Sequence, residues 1–161
     1  MNVREKTVGE IVRDRPVYFV VASDSVLQAA RYMAEQQIGA VPVLDESYQP
    51  DTLVDQVGIF SERDVMTRVV ARRLDPASTR VGEVMTRKVA VLSEDRTYRD
   101  ALAVMEQLHI RHLPVLVGRR IVGCVSIRDL REAEAETKEA QIQFLDDYID
   151  RMEEFAWGGA G

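Results

Sequence analysis

The chain is poor in the side chains that chemistry usually requires. Its 161 residues include one cysteine and two histidines. A single thiol excludes an internal disulfide and a cysteine-based zinc site. Cys124 lies in the apolar run Ile121-Val-Gly-Cys-Val125, where a small core residue is the expectation. His109 and His112 stand three apart with no cysteine or acidic third ligand beside them, so no metal site is expected. The longest apolar stretch, Val17-Tyr-Phe-Val-Val-Ala22, falls far short of the roughly 18 residues a membrane span needs. The opening Met1-Asn-Val-Arg-Glu-Lys6 has no signal-peptide core, so a cytoplasmic protein without a membrane partner is expected. The sequence shows no Ser-His-Asp order, no P-loop and no Gly-x-Gly-x-x-Gly, so no catalytic residue and no catalytic cofactor are expected. The six methionines are scattered at element ends and read as core filling.

What is present is ordinary globular composition, 46% apolar and 30% charged, at a length that suits one domain or two small ones sharing a core. The formal charge of −6 is unevenly placed. Residues 1–130 balance 18 basic against 18 acidic side chains, whereas 131–156 hold nine acids against Arg131, Lys138 and Arg151. An acidic tail on a neutral body is a poor nucleic-acid surface, and no nucleic-acid partner is expected. Arginines do gather at Arg68, Arg72, Arg73 and Arg80, and again at Arg111, Arg119 and Arg120. Composition favours solvated faces there over an anion pocket.

The chain is also two copies of one unit. Thr7-Val-Gly-Glu-Ile-Val12 matches Arg80-Val-Gly-Glu-Val-Met85 at an offset of 73. Val17, Ala29, Met33, Ile38, Pro42, Val43 and Leu44 match Val89, Ala101, Met105, Ile110, Pro114, Val115 and Leu116 at 72. Gly58-Ile-Phe-Ser-Glu-Arg-Asp64 matches Gly123-Cys-Val-Ser-Ile-Arg-Asp129 at 65. The drop to 65 assigns seven extra residues to copy one, in the polar stretch Asp45-Glu-Ser-Tyr-Gln-Pro-Asp-Thr52, which reads as a lengthened hairpin loop. Copy two turns tightly at Gly118-Arg119.

Each unit reads strand, helix, strand, strand, helix. A short strand around 17–21 or 89–92 precedes a helix opened by Ser25-Val-Leu-Gln28 or Thr97-Tyr-Arg-Asp100, both capping signals. Tyr98, Ala101, Leu102, Met105 and Leu108 supply one buried stripe. Strands at 41–44 and 57–60, or 113–117 and 121–125, lead to a helix starting at Ser61 or Ser126. A unit of about 60 residues buries too little surface alone, so the expected architecture is α+β, two pseudo-symmetric units packed through their small sheets with two related clefts. The boundaries are 7–75 for the first unit, 80–135 for the second, 136–156 for a C-terminal amphipathic helix and 157–161 for a frayed tail.

This order and these residues resemble the cystathionine-β-synthase (CBS) domain in the tandem arrangement called a Bateman module. The match runs over residues 7–135 and is carried by Val81-Gly-Glu-Val-Met85, His109-Ile-Arg-His-Leu-Pro-Val115 and the two Ser-x-x-Asp segments. Leu145-Asp-Asp-Tyr-Ile149 further resembles the tail of stand-alone bacterial CBS-pair proteins. The resemblance implies a regulatory module that binds an adenosine ligand (AMP, ADP, ATP, NAD or S-adenosylmethionine) between the units. It implies ribose contacts from Asp64 and Asp129 and phosphate contacts from Ser61 and Ser126. Ser61-Glu-Arg-Asp64 and Ser126-Ile-Arg-Asp129 are equally helix capping boxes, and one residue pair can serve both purposes.

Crossing the copies as the family does sets Asp64 and Ser61 opposite Thr86, Val89, Arg111 and His112, with Arg68 one turn beyond Asp64. It sets Asp129 and Ser126 opposite Arg13, Tyr18, Gly39 and Ala40. Thr86, Val89, Tyr18, Gly39 and Ala40 are the expected cleft wall; Arg111, His112 and Arg68 are the expected phosphate partners. The Asp64 cleft is therefore expected to hold the charged phosphates, and the Asp129 cleft to take a less charged group or stand empty. A homodimer and an unidentified regulated protein are the implied partners. Ile142, Leu145, Ile149 and Met152 form a seam on the tail helix that either packs back on its own module or meets a second copy. The alternative function is a dimeric interaction scaffold with vestigial clefts.

Overall fold

A computed structural model describes residues 3–46 and 57–157. The repeat of the sequence becomes a repeat of structure. In the first copy α1 (Val8–Val12) and β1 (Val20–Val21) precede α2 (Val26–Gln36), β2 (Ala40–Leu44) and β3 (Gly58–Ser61). The helix α3 (Glu62–Asp64) then widens into a π-helical segment, Val65–Val70. In the second copy the order is α4 (Val81–Val84), β4 (Leu92–Ser93), α5 (Tyr98–Leu108), β5 (His112–Val117), β6 (Arg120–Ser126) and α6 (Ile127–Trp157). Each copy builds a three-stranded sheet in which the first strand runs parallel to the second and the third antiparallel to it. The first strands are shorter than the β-branched runs suggested, two residues each. Most of the expected loop lies in 47–56, outside the described residues.

The helices form for the reasons their sequences give. Ser25 caps α2 and Thr97 caps α5, each accepting from the amide three residues on while Gln28 or Asp100 answers to the cap's own amide. Val26, Ala29 and Met33, and likewise Tyr98, Ala101 and Met105, point one stripe inward. Both helices end on a residue in the left-handed region, Gln37 at φ 55° and His109 at φ 53°. His109 is thereby an exposed helix cap.

Two hydrophobic cores result, and each borrows a helix from the other repeat. Val8 and Val12 of α1 sit among Leu92, Tyr98, Leu113, Val115 and Leu130 of the second copy. Val81 and Val84 of α4 sit among Val20, Val26, Val41, Phe60 and Val69 of the first. At about 1.5–3 kcal/mol per fully buried Val side chain, these four residues weld the units together. The backbone repeats the exchange: Val8 N–H donates to Arg96 O at 2.8 Å, and Val81 N–H to Asp24 O at 2.9 Å. Leu44, Val57, Ile121 and Leu116 join the two sheets directly. Among the described residues no helix is long and apolar enough to cross a membrane.

Candidate functional site

The two Ser-x-x-Asp segments fold alike locally. Ser61 Oγ accepts the Asp64 amide at 3.4 Å while Asp64 Oδ2 accepts the Ser61 amide at 2.9 Å. Ser126 Oγ accepts the Asp129 amide at 3.2 Å while Asp129 Oδ2 accepts the Ser126 amide at 2.8 Å. Each is a capping box, so one oxygen of each carboxylate is already occupied. The surroundings of the second oxygen separate the copies.

Around Asp64 the protein closes on itself. Arg68 Nε lies 3.3 Å from Asp64 Oδ1, and the same guanidinium donates to Val84 O at 3.0 Å and Met85 O at 2.8 Å. Thr86 zips onto the edge of β3, exchanging backbone bonds with Ile59 at 3.0 and 2.8 Å. A Cβ on Gly58 would stand 2.5 Å from Met85 Sδ, so the thioether fills the space in front of β3. Asp64 is left 7% exposed. Arg68, expected as a phosphate partner, is held by a carboxylate and two carbonyls of its own chain. Val89 is half-buried on the segment leading to β4.

Around Asp129 the same architecture stays open. The repeat-related pairing, Cys124 of β6 with Arg13, is not among the bridges formed by the described residues. A cavity of about 640 Å³ occupies the place, within the range of small-molecule sites. Ser126, Asp129, Tyr18, Gly39 and Ala40 line it as expected, and Arg111 and His112 join them. That grouping corrects the expected crossing of the copies, which sets these two opposite Asp64. Both pre-proline segments reach this cavity: His112 pairs with Ser126 across β5 and β6, Ala40 pairs with Ser61 across β2 and β3, and Glu62 comes with them. Gly39 faces the same wall: a Cβ there would sit at ordinary contact distance, 3.4 Å from Glu62 Oε2 and 3.7 Å from His112 Nε2.

The cation that meets Asp129 is Arg15, not Arg13. Arg15 Nη1 lies 2.9 Å from Asp129 Oδ1, whereas Arg13 caps the end of α1. Arg15, Glu62, Cys124, Arg128 and Glu132 also line the cavity, and sequence reasoning missed them all as site residues. The only available signal for Arg15 was its place just after α1, which no spacing rule distinguishes from Arg13. Arg128 is paired with Glu132 at 3.2 Å. Burial pushes His112 below the usual imidazole range, against the opposing pull of Asp129 and Glu62. Burial likewise pushes the Cys124 thiol up to about 12, so this wall residue stays a neutral thiol at physiological pH. Tyr18 packs edge-on against Tyr32, ring centroids 6.1 Å apart, which fixes one aromatic wall of the cavity. Among the described residues no three His, Cys, Asp or Glu gather as a metal site would require.

Comparison with known proteins agrees with this fold. The CBS-domain family profile matches residues 8–71 and 81–136, and the chain belongs to this family as a tandem pair. A curated relative, the mitochondrial CBS domain-containing protein CBSX3 of Arabidopsis thaliana, is 30% identical over 129 residues. The alignment covers 78% of this chain and 60% of that protein, so the chain spans about three fifths of that relative's length. Among solved structures, the CBS-domain containing protein ATU1752 from Agrobacterium tumefaciens superposes with a TM-score of 0.69 at 28% identity, covering 80% of this chain and 99% of that one. The CBS domain pair of protein MJ0100 gives 0.69 at 23% identity, covering 83% and 98%, and was solved in complex with 5′-methylthioadenosine and S-adenosyl-L-methionine. CBS pairs are regulatory ligand-binding modules in general, and the matched family is not a catalytic one.

Proposed function

We propose that this protein is a regulatory module that binds one adenosine-containing ligand, of the AMP, ADP, ATP, NAD or S-adenosylmethionine class, in the Asp129 cleft, and that it works as a homodimer. The observation that carries the reading is the content of that one cavity. It holds a carboxylate with one fixed oxygen, a helix start, an aromatic wall at Tyr18, and the cations Arg15 and Arg111. The ligand class is the one the MJ0100 pair holds. In this reading Asp129 Oδ1 accepts from the ribose, Arg15 leaves it for the anionic end, and Ser126 with Arg111 and His112 completes the phosphate seat. Arg15 sits between α1 and β1, where the two repeats interlock. Moving it couples ligand to the relative arrangement of the units, and the coupling reaches as far as the ligand prefers one arrangement over the other.

The test is a melting scan of the protein with each of the five ligands, followed by calorimetric titration of any that shifts the transition. Ligand at a hundredfold its dissociation constant adds about 2.7 kcal/mol. The shift should vanish in Asp129→Ala and persist in Asp64→Ala. Shifts surviving Asp129→Ala would remove the site assignment. No shift with any ligand would favour the second reading, an interaction scaffold, which the self-filled Asp64 side and the exposed apolar seam of α6 support.

A further inference from the structure

Two exposed helical faces in this molecule are complementary, and neither has a use so far. The first is the far half of α6. Through Leu130, Ala133 and Thr137 the helix is anchored in the core, but every side chain from 142 to 155 is exposed. That is a free stretch of about 21 Å at 1.5 Å per residue, a length at which an isolated helix is marginal in water. It nonetheless carries Ile142, Leu145, Ile149 and Met152 at spacings of three, four and three, with Tyr148 and Phe155 beside them. Phe155 is 90% exposed and Ile142 61%. The other positions are mostly acidic, Asp146, Asp147, Asp150, Glu153 and Glu154 against the single Arg151, with Gln143 and Phe144 the remaining two.

The second face belongs to α3, the π-helical segment after it and the turn that follows, 71–74. Met66 (61% exposed), Val70 (65%) and Leu74 (41%) follow at intervals of four. Arg63, Arg72 and Arg73 stand exposed around them. Pairing two α6 tails with each other would set acid against acid along the seam's flanks, which disfavours self-pairing. An apolar strip bordered by arginines is the complementary surface, and a second copy of the chain carries one.

We propose that the free half of α6 docks on the Met66–Val70–Leu74 face of a second copy, reciprocally, acidic edge against arginine edge. The proposal takes the homodimer from the reading above and adds the surfaces that make it. Reciprocity gives an isologous contact, which closes at two copies and does not propagate into fibres. The asymmetry of charge along the chain, neutral body and acidic tail, then serves orientation as well as solubility.

Charge exchange tests it. One variant carries Arg63→Glu, Arg72→Glu and Arg73→Glu; the other carries Asp146→Lys, Asp150→Lys and Glu153→Lys. Each alone presents like charges at both contacts, and its dimer dissociation constant in sedimentation at low salt should rise at least about tenfold. Mixed together, they present opposite charges at both contacts, and the dimer should return. Helix content and cooperative melting of each variant by circular dichroism show that it is folded. If the unmutated chain and both variants dimerise equally, another surface makes the dimer and this proposal fails while the homodimer stands. Variants that dissociate and do not recover on mixing also overturn it. A monomeric unmutated chain at tens of micromolar, a concentration regime ample for a specific interface, overturns the dimer itself and leaves the ligand reading to its own melting test.

Discussion

Arg15 Nη1 lies 2.9 Å from Asp129 Oδ1, tying the segment after α1 to the first turn of α6. The repeat-related carboxylate, Asp64, is tied instead to Arg68 on its own helix. One sequence pattern therefore has two fates. In one copy the carboxylate belongs to a local, self-satisfied cluster; in the other it bridges parts of the chain that a ligand can move.

Arg15 is 44% exposed and Asp129 17%, so the pair is partly screened by solvent and contributes modestly to stability, on the scale of about 1 kcal/mol. Arg15→Ala should leave the melting temperature of the free protein within a few degrees while weakening a phosphate-bearing ligand about tenfold, the value of one charge-assisted contact. Asp129→Asn keeps an oxygen for the Ser126 amide, so it should fold normally and lose ligand affinity. Calorimetric titration of both variants checks this.

Arg68→Ala should do the opposite. It strips the cation from Asp64 and leaves Val84 O and Met85 O without their donor. A loss of about 1–3 kcal/mol of stability is expected from such charge-assisted bonds, with ligand affinity at Asp129 unchanged. Denaturant unfolding reads the first effect and titration the second.

His112 gives the pH dependence a sign. Burial lowers its proton affinity in the folded protein, whereas the unfolded chain titrates near 6.5. The unfolded state then binds more protons as pH falls, so His112's share of stability is fully present above 6.5 and declines as pH drops toward the folded value. A ligand phosphate beside the ring favours its charged form, so binding should tighten as pH falls toward the folded value and level off where the ring is neutral in both free and bound protein. His112→Gln should flatten both trends, compared by melting and titration between pH 5 and 8.

Gly9→Ala probes the interlocking of the repeats. A Cβ at Gly9 would meet Glu94 O at 2.8 Å, a backbone atom with no rotamer to yield. Displacing α1 from the second core should cost about 1–3 kcal/mol, read by thermal unfolding. Because α1 leads into Arg15, the same variant should also weaken ligand binding.

How far the fold was legible follows from where its information lies. Offsets of 73, 72 and 65, the capping signals at Ser25, Thr97, Ser61 and Ser126, and the helical stripes are local features, and each became the element it indicated. The helix after Ser126 and the acidic tail merged into one, α6, because no Pro or Gly intervenes between Ile127 and Trp157. The site was legible as residue types. Ser126, Asp129, Arg111, His112, Tyr18, Gly39 and Ala40 all border one cavity.

Which carboxylate faces open space was not written in the pattern. Asp64 and Asp129 share a motif, a cap and a helix start, and they differ in what the rest of the chain brings to them. Thr86 zips to Ile59 and Met85 fills the space before Gly58, closing one side. On the other, the matching Arg13–Cys124 pairing is not among the bridges of the described residues, and Arg15 reaches in from a turn. The duplicated α+β unit and its capped Ser-x-x-Asp helices can be read along the chain, because they depend on neighbours within a turn or a hairpin. Which cleft is open and which arginine guards it rests on contacts beyond any local pattern, from Arg68 with Val84 and Thr86 with Ile59 on the closed side to Arg15 with Asp129, more than a hundred positions apart, on the open one.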